Sequence, residues 1–219
     1  IPEEEVIDAG LITRAIYVNE GVEDSERIED DYDILIKLAD NKRQEILAAY
    51  EQIGVDIRPL VLIQFPVGQP ETIKAVEDKL ASMGYTYDNS MVNIWMSDQK
   101  VISEDLTERN GAPAFLLMKQ AVATGWDCPR AKILVKLREG GSERFQIQTI
   151  DRIRRMPKRK HYLFPGVLDF CFIYTLDTEY KNDLLTALDK AYQVRKLFAK
   201  PEVSDFSLTK EMRDRKSVV

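Results

Sequence analysis

A single histidine, His161, and two cysteines, Cys128 and Cys171, leave this chain without the side chains that a zinc site or a disulfide framework requires. With no histidine near it in sequence, Cys128 reads as a small packing residue rather than a nucleophile. No apolar run approaches the roughly eighteen residues of a membrane span, and no secretory leader is recognisable. A cytoplasmic chain with no membrane partner is therefore expected. A glycine-rich phosphate loop ending in Gly-Lys-Ser/Thr is also missing. The nearest glycine pair, Gly140-Gly141, lies in Arg138-Glu139-Gly140-Gly141-Ser142-Glu143 and reads as a turn between a strand and a helix. By itself the chain is not expected to hydrolyse a nucleoside triphosphate. It lacks a dinucleotide fingerprint and a nucleophile paired with its base, which weakens the case for a small-molecule α/β enzyme. It starts at Ile1 without an initiator methionine and reads as a segment of a larger polypeptide.

What is present is an ordinary globular composition, 44% hydrophobic and 31% charged over 219 residues, enough for one sizeable core. The net charge of −6 opposes a polyanionic partner, but its distribution matters more than its total. Acidic residues crowd Glu3-Glu4-Glu5 and Glu23 to Asp33, whereas Arg152 to His161 reads Arg-Ile-Arg-Arg-Met-Pro-Lys-Arg-Lys-His. Such a local basic surface can steer phosphates even on an acidic domain. Lys158-Arg159-Lys160 fits equally well as a solvated loop.

Along the chain, Thr13 to Val18 is a candidate edge strand. From Ser25 to Ile53 apolar residues recur at helical intervals, with Asp40-Asn41 as a break. Leu60 to Phe65 reads as a strand stopped by Pro66, and Pro70 to Met83 as a helix ended by Gly84. Met91 to Met96, Ala114 to Met118 and Ala131 to Leu137 supply further strands. Gly166 to Leu176 is a long apolar segment, and Asn182 to Phe198 carries a helical stripe. This alternation predicts right-handed crossovers and a mainly parallel sheet covered on both faces, with the ligand edge beyond the strand carboxyl ends.

Two stretches carry chemistry. In the first, the strand at Ala114 to Met118 leads into Thr124-Gly125, which permits a tight turn and close approach to a ligand. Asp127 is expected to project beyond that strand's carboxyl end, with Pro129 preventing helical continuation. In the second, Gln148, Asp151, Arg152 and Arg155 share one face of a helix while Ile147, Ile150 and Ile153 pack the other. Two arginines one turn apart suit a site that neutralises charge on a transferring phosphate. The bare pattern also fits an amphipathic surface helix whose arginines meet Asp151 and solvent.

Taken together, Gln-Ala-Val-Ala-Thr-Gly-Trp-Asp-Cys-Pro-Arg-Ala at 120–131 and Gln-Thr-Ile-Asp-Arg-Ile-Arg-Arg-Met-Pro at 148–157 resemble motifs V and VI of superfamily-two helicases and translocases. Their wording is most similar to the restriction subunit of type III restriction enzymes. Val6 to Ile12, Pro59 to Gln64 and Tyr174 to Asp177 also have that family's look. The resemblance implies a RecA-like three-layer α/β sandwich with a mainly parallel central sheet, preceded by a mixed, partly helical N-terminal extension. The implied division is a lead-in at 1–58, the second RecA-like motor domain at 59–200 and a tail at 201–219.

By the same resemblance, Arg155 and Arg152 are catalytic fingers, Gln148, Gly125 and Asp127 contact nucleotide, and Lys119 and Thr124 lie near a nucleic-acid backbone. ATP and Mg2+ are implied for the full-length parent, held mainly by a first RecA-like domain of the same polypeptide. Implied partners are that domain, double-stranded DNA and a modification (methyltransferase) subunit. One departure stands out: the family's usual glycine before the first motif VI arginine is Asp151 here. A carboxylate beside a triphosphate is unwelcome unless Arg152, Arg154 or Arg155 neutralises it, and it leaves open an inert nucleic-acid-binding or scaffolding domain that keeps a motor-like fold.

Overall fold

A computed structural model describes residues 2–22, 32–65, 70–119, 126–137, 149–162, 164–177 and 180. Among the described residues, seven strands form one sheet: β1 (Ala15–Val18), β2 (Leu60–Gln64), β3 (Val92–Trp95), β4 (Lys100–Val101), β5 (Phe115–Met118), β6 (Ala131–Lys136) and β7 (Phe170–Thr175). Their spatial order is β1-β7-β6-β2-β5-β3-β4. Every neighbouring pair is parallel except β3 and β4, which form an antiparallel hairpin at one edge. The α/β class and mainly parallel sheet read from the sequence are the architecture found.

Residues along β2, β5, β6 and β7 are buried almost without exception, as expected where both faces of a parallel sheet are covered. The twofold alternation of side chains splits them into two cores. Val61, Ile63, Phe115, Leu117, Ile133, Val135, Phe172 and Tyr174 face the first core, with α2 (Tyr32–Gln52) and α3 (Pro70–Ser82) packed there. Leu60, Leu62, Leu116, Met118, Leu134, Cys171 and Ile173 face the second, with Leu106, Cys128, Ile150 and Ile153. The β2–β6 register shifts between Leu60 and Val61, whose partners are Ala131 and Ile133. This places Lys132 at an irregularity in an otherwise regular ladder.

Two sequence expectations change. The helix α2 runs unbroken through Asp40-Asn41 because Asp40 has partners that a sequence window does not contain. Its carboxylate accepts from Arg43 Nε at 2.8 Å and from the Tyr85 hydroxyl at 2.9 Å. The apolar segment from Gly166 divides into a 3-10 turn (Gly166–Asp169) and β7. The candidate edge strand before Asn19 is β1, which pairs with β7 in the common sheet. A short helix, α1 (Glu3–Asp8), precedes it. The stripe expected over Asn182 to Phe198 lies outside the described residues. Among the described residues, no helix is long and apolar enough to cross a membrane.

Candidate functional site at the amino-terminal sheet edge

A parallel crossover must carry the chain from the carboxyl end of one strand back to the amino end of the next. Strand β5 ends at Met118 and β6 begins at Ala131, so residues immediately before Ala131 sit at the amino-terminal edge of the sheet. Asp127 is there, which corrects the expectation that it projects beyond a carboxyl end. The helical residues 149–153 stop before Arg155, which instead forms an isolated antiparallel bridge with Ile12. Arg155 is therefore presented from an extended strap, not from the helix face on which the spacing placed it.

The strap and the N-terminal segment hold one another. Thr13 N–H donates to the Arg154 carbonyl at 2.7 Å, and Met156 N–H donates to the Leu11 carbonyl at 3.0 Å. Arg14 N–H donates to the Asp169 carbonyl at 2.8 Å, just before β7 begins. All these anchors precede a strand, so they fix Arg155 at the same edge as Asp127. The two side chains meet: Arg155 Nη1 lies 2.8 Å from Asp127 Oδ1, with the side chains 49% and 54% exposed. An ion pair this open to water contributes about 0–1 kcal/mol and is readily exchanged for another anion.

Arg152 lies one turn before Arg155, its guanidinium 5.8 Å from the centre of the Trp126 ring. Trp126 packs against the second core, so it works as a support beneath Arg152. Burial and the neighbouring Arg155 push the Arg152 guanidinium below its ordinary value, against the pull of Asp127. It remains a cation under any physiological condition. Two cations that disfavour each other make a place where a multivalent anion is welcome. Asp151 opposes this: removal of surrounding water raises its carboxyl above the usual range, with Arg154 and Arg155 pulling it down.

Two supporting groups were not singled out from the sequence. Lys132 is fully buried, its Nζ 3.4 Å from the Arg155 carbonyl and 3.3 Å from Met156 Sδ. Arg130, 1% exposed, uses its guanidinium to hold three backbone carbonyls: Leu106 at 2.8 and 3.0 Å, Arg58 at 2.8 Å and Pro113 at 2.9 Å. This clamp fixes the turn that launches β6 directly after Asp127. A cation placed between an acidic motif residue and a strand was the available signal, but a strand-edge arginine reads as surface. Arg154 is likewise buried, with its guanidinium bonded to the Glu3 carboxylate.

Lys119 stands apart from this group. It follows β5 at the carboxyl-terminal edge, its Nζ 3.5 Å from Asp98 Oδ1. The ligand edge expected beyond the strand carboxyl ends is thus corrected for Asp127, Arg152 and Arg155, which share the amino edge, whereas Lys119 follows β5 at the carboxyl edge. Thr124, Gly125 and Gln148 lie outside the described residues.

No protein-family profile and no curated protein matches the chain. Among solved structures it is similar to the C-terminal domain of S. cerevisiae Dbp5 bound to Gle1 and IP6, with 14% identity, 94% of this chain and 97% of that one covered, and a TM-score of 0.43. It is also similar to RecG bound to a three-way DNA junction, with 15% identity, 80% and 20% covered, and a TM-score of 0.39. A third likeness is to the C-terminal part of the Fun30 ATPase domain, with 15% identity, 80% and 51% covered, and a TM-score of 0.36.

Proposed function

We propose that this chain is the second motor domain of an ATP-dependent nucleic-acid translocase, the restriction subunit of a type III restriction enzyme. The observation that carries the reading is the exposed Asp127–Arg155 pair, with Arg152 beside it. Residues from two motifs separated by more than twenty positions meet at one solvent-facing edge, and three supports hold them there: the Ile12 bridge, Lys132 and the Arg130 clamp.

In this reading another domain of the same polypeptide holds the phosphates and Mg2+, since this chain has no phosphate loop. The residues at the edge fit one side of a nucleotide. Arg155 leaves Asp127 for the γ-phosphate, where its planar fork matches two oxygens. Asp127, released, accepts from a ribose hydroxyl. Arg152, held against Trp126, supplies a second positive charge. ATP supplies the phosphoryl group, and this domain's part is to orient and neutralise it across an interdomain gap, so that closure follows nucleotide state. Lys119 and Thr124 meet the backbone of double-stranded DNA, and a methyltransferase subunit supplies site recognition, in the cytoplasm.

The test is nucleic-acid-stimulated ATPase of the parent polypeptide. Arg155→Ala is expected to lower the turnover roughly a thousandfold while nucleotide binding persists. An unchanged rate sinks the finger assignment and leaves a domain with a motor-like fold and no catalytic share.

A further inference from the structure

Helix α3 carries the chain from the carboxyl end of β2 back to the amino end of β3, and a cavity of about 230 Å3 opens between the last turns of α3 and the loop that enters β3. Leu80, Ala81, Tyr85, Tyr87 and Val92 give it apolar walls. Glu77, Asp78 and Asp88 stand among them, and the lining holds no lysine or arginine to balance these carboxylates. Leu80 and Val92 belong to the first core, whereas Trp126, Ile150 and Ile153 of the candidate nucleotide site pack on the second. The cavity is therefore on the other face of the sheet, and the nucleotide reading leaves it unused.

Its walls are held in place from behind. The Tyr85 hydroxyl accepts from Arg43 Nη2 at 2.9 Å and donates to Asp40 Oδ2 at 2.9 Å, which anchors the ring to α2. The Tyr87 hydroxyl donates to one oxygen of Glu77, so the loop is fastened to α3 and the carboxylate is fixed with its other oxygen left for a ligand. Asn89 closes the loop: its Nδ2 donates to the Gly84 carbonyl at 2.7 Å, and its Oδ1 accepts from Thr86 N–H at 3.1 Å. Asp78 meets Lys74 at 3.2 Å with both side chains mostly exposed, a bond that another cation replaces at little cost. Asp88 is exposed at the rim. A cavity shaped before its ligand arrives spares that ligand the cost of ordering it.

We propose that this cavity receives one arginine side chain of a partner polypeptide. Three carboxylates around apolar walls disfavour one another and favour a cation with an apolar stem. The volume falls short of the roughly 300–1,000 Å3 of a small-molecule site and suits a single side chain, the kind of anchor that a protein interface seats in a pocket. Arginine suits it better than lysine. Its planar fork can serve Glu77 and Asp88 together, and its weaker hydration lowers the cost of entering beside Leu80 and Val92.

The test follows the amide resonances of residues 77–92 by NMR while N-acetyl-arginine amide is added to the chain. Saturable shifts confined to this segment are expected at about millimolar ligand. N-acetyl-lysine amide is expected to bind several-fold more weakly and N-acetyl-norleucine amide, which keeps an apolar stem without charge, not at all. Glu77→Gln, whose amide oxygen still accepts from Tyr87, should weaken binding about tenfold, and Asp88→Asn several-fold. Ala81→Leu, at an exposed helical position on the wall, should fill the cavity and abolish binding. If Ala81→Leu melts early, the two isosteric carboxamide variants carry the test.

No shifts, equal shifts with norleucine amide, or affinity unmoved by Glu77→Gln and Asp88→Asn overturns the proposal. Free arginine that binds more tightly than the capped amide makes this a small-molecule site and overturns the partner. A dimer in sedimentation that Ala81→Leu dissociates makes the occupant a second copy of this chain and overturns it too. None of these outcomes touches the Arg155 ATPase test, so the cavity and the motor reading fail separately.

Discussion

Replacing Lys132 by methionine should make this protein more stable at neutral pH, although it deletes a side chain that touches the candidate site. Lys132 is fully buried, and among the described ion pairs none includes it. Among the described residues its ammonium meets the Arg155 carbonyl at 3.4 Å and the Met156 sulfur at 3.3 Å. Burial pushes its pKa from the ordinary 10.5 down to about 8, with weaker upward pulls from Cys171 and Asp169. The fall corresponds to a penalty of roughly 3 kcal/mol on the folded, charged form. Methionine keeps the length and volume. The lost bond to the Arg155 carbonyl is long and offsets about 1 kcal/mol, leaving a net gain of roughly 2 kcal/mol at pH 7.

The sign of the pH dependence follows from the same shift. Between pH 8 and 10.5 the unfolded chain holds the Lys132 proton and the folded chain releases it, so wild-type stability rises with pH relative to the variant. Below pH 8 both states are charged and the full penalty stands. Above 10.5 both are neutral and the variant's advantage is gone. Urea unfolding of both proteins at pH 7, 8, 9 and 10 reads the difference directly. Buried Tyr174 and Cys128, whose pKa values are raised, titrate in both proteins and largely cancel. A variant less stable than wild type at pH 7, or a difference that does not shrink with pH, refutes the reasoning and means that the ammonium's contacts outweigh its dehydration.

Arg130→Ala removes the guanidinium donors to the Leu106, Arg58 and Pro113 carbonyls, leaving Leu106 the 3.6 Å contact from the Cys128 thiol, and should cost about 3–5 kcal/mol, seen as a lower urea midpoint. Arg130→Lys should recover only part, because an ammonium cannot reproduce the planar fork. Gly10 has φ +69° and a Cβ there would stand 2.6 Å from Lys160 Cα, so Gly10→Ala must displace backbone at 159–160. A loss of about 2 kcal/mol, or roughly 4–8 °C in Tm, is expected in a thermal melt. Unchanged melting would mean that the N-terminal segment does not brace the arginine strap.

The strands were legible because buried parallel strands leave a plain signature: Leu60 to Gln64, Phe115 to Met118 and Ala131 to Lys136 are short apolar runs between turn residues. The false break at Asp40-Asn41 came from reading a polar pair as exposed. Asp40 is satisfied by Arg43 one turn on and by Tyr85, forty-five residues away, and only the second partner is beyond a local pattern. Lys132 and Arg130 were missed for the same reason. A cation in a strand or turn reads as surface unless distant carbonyls are known to converge on it.

Asp127 lies at the amino edge for a topological reason. The rule that ligands sit beyond strand carboxyl ends applies to the exit of a crossover, not to its return. Asp127 stands four residues before β6 and Lys119 directly after β5, so a parallel β5–β6 pair flanking β2 already requires them to lie at opposite edges. The parallel strands β5, β2 and β6 therefore set Lys119 and Asp127 apart by the length of the sheet.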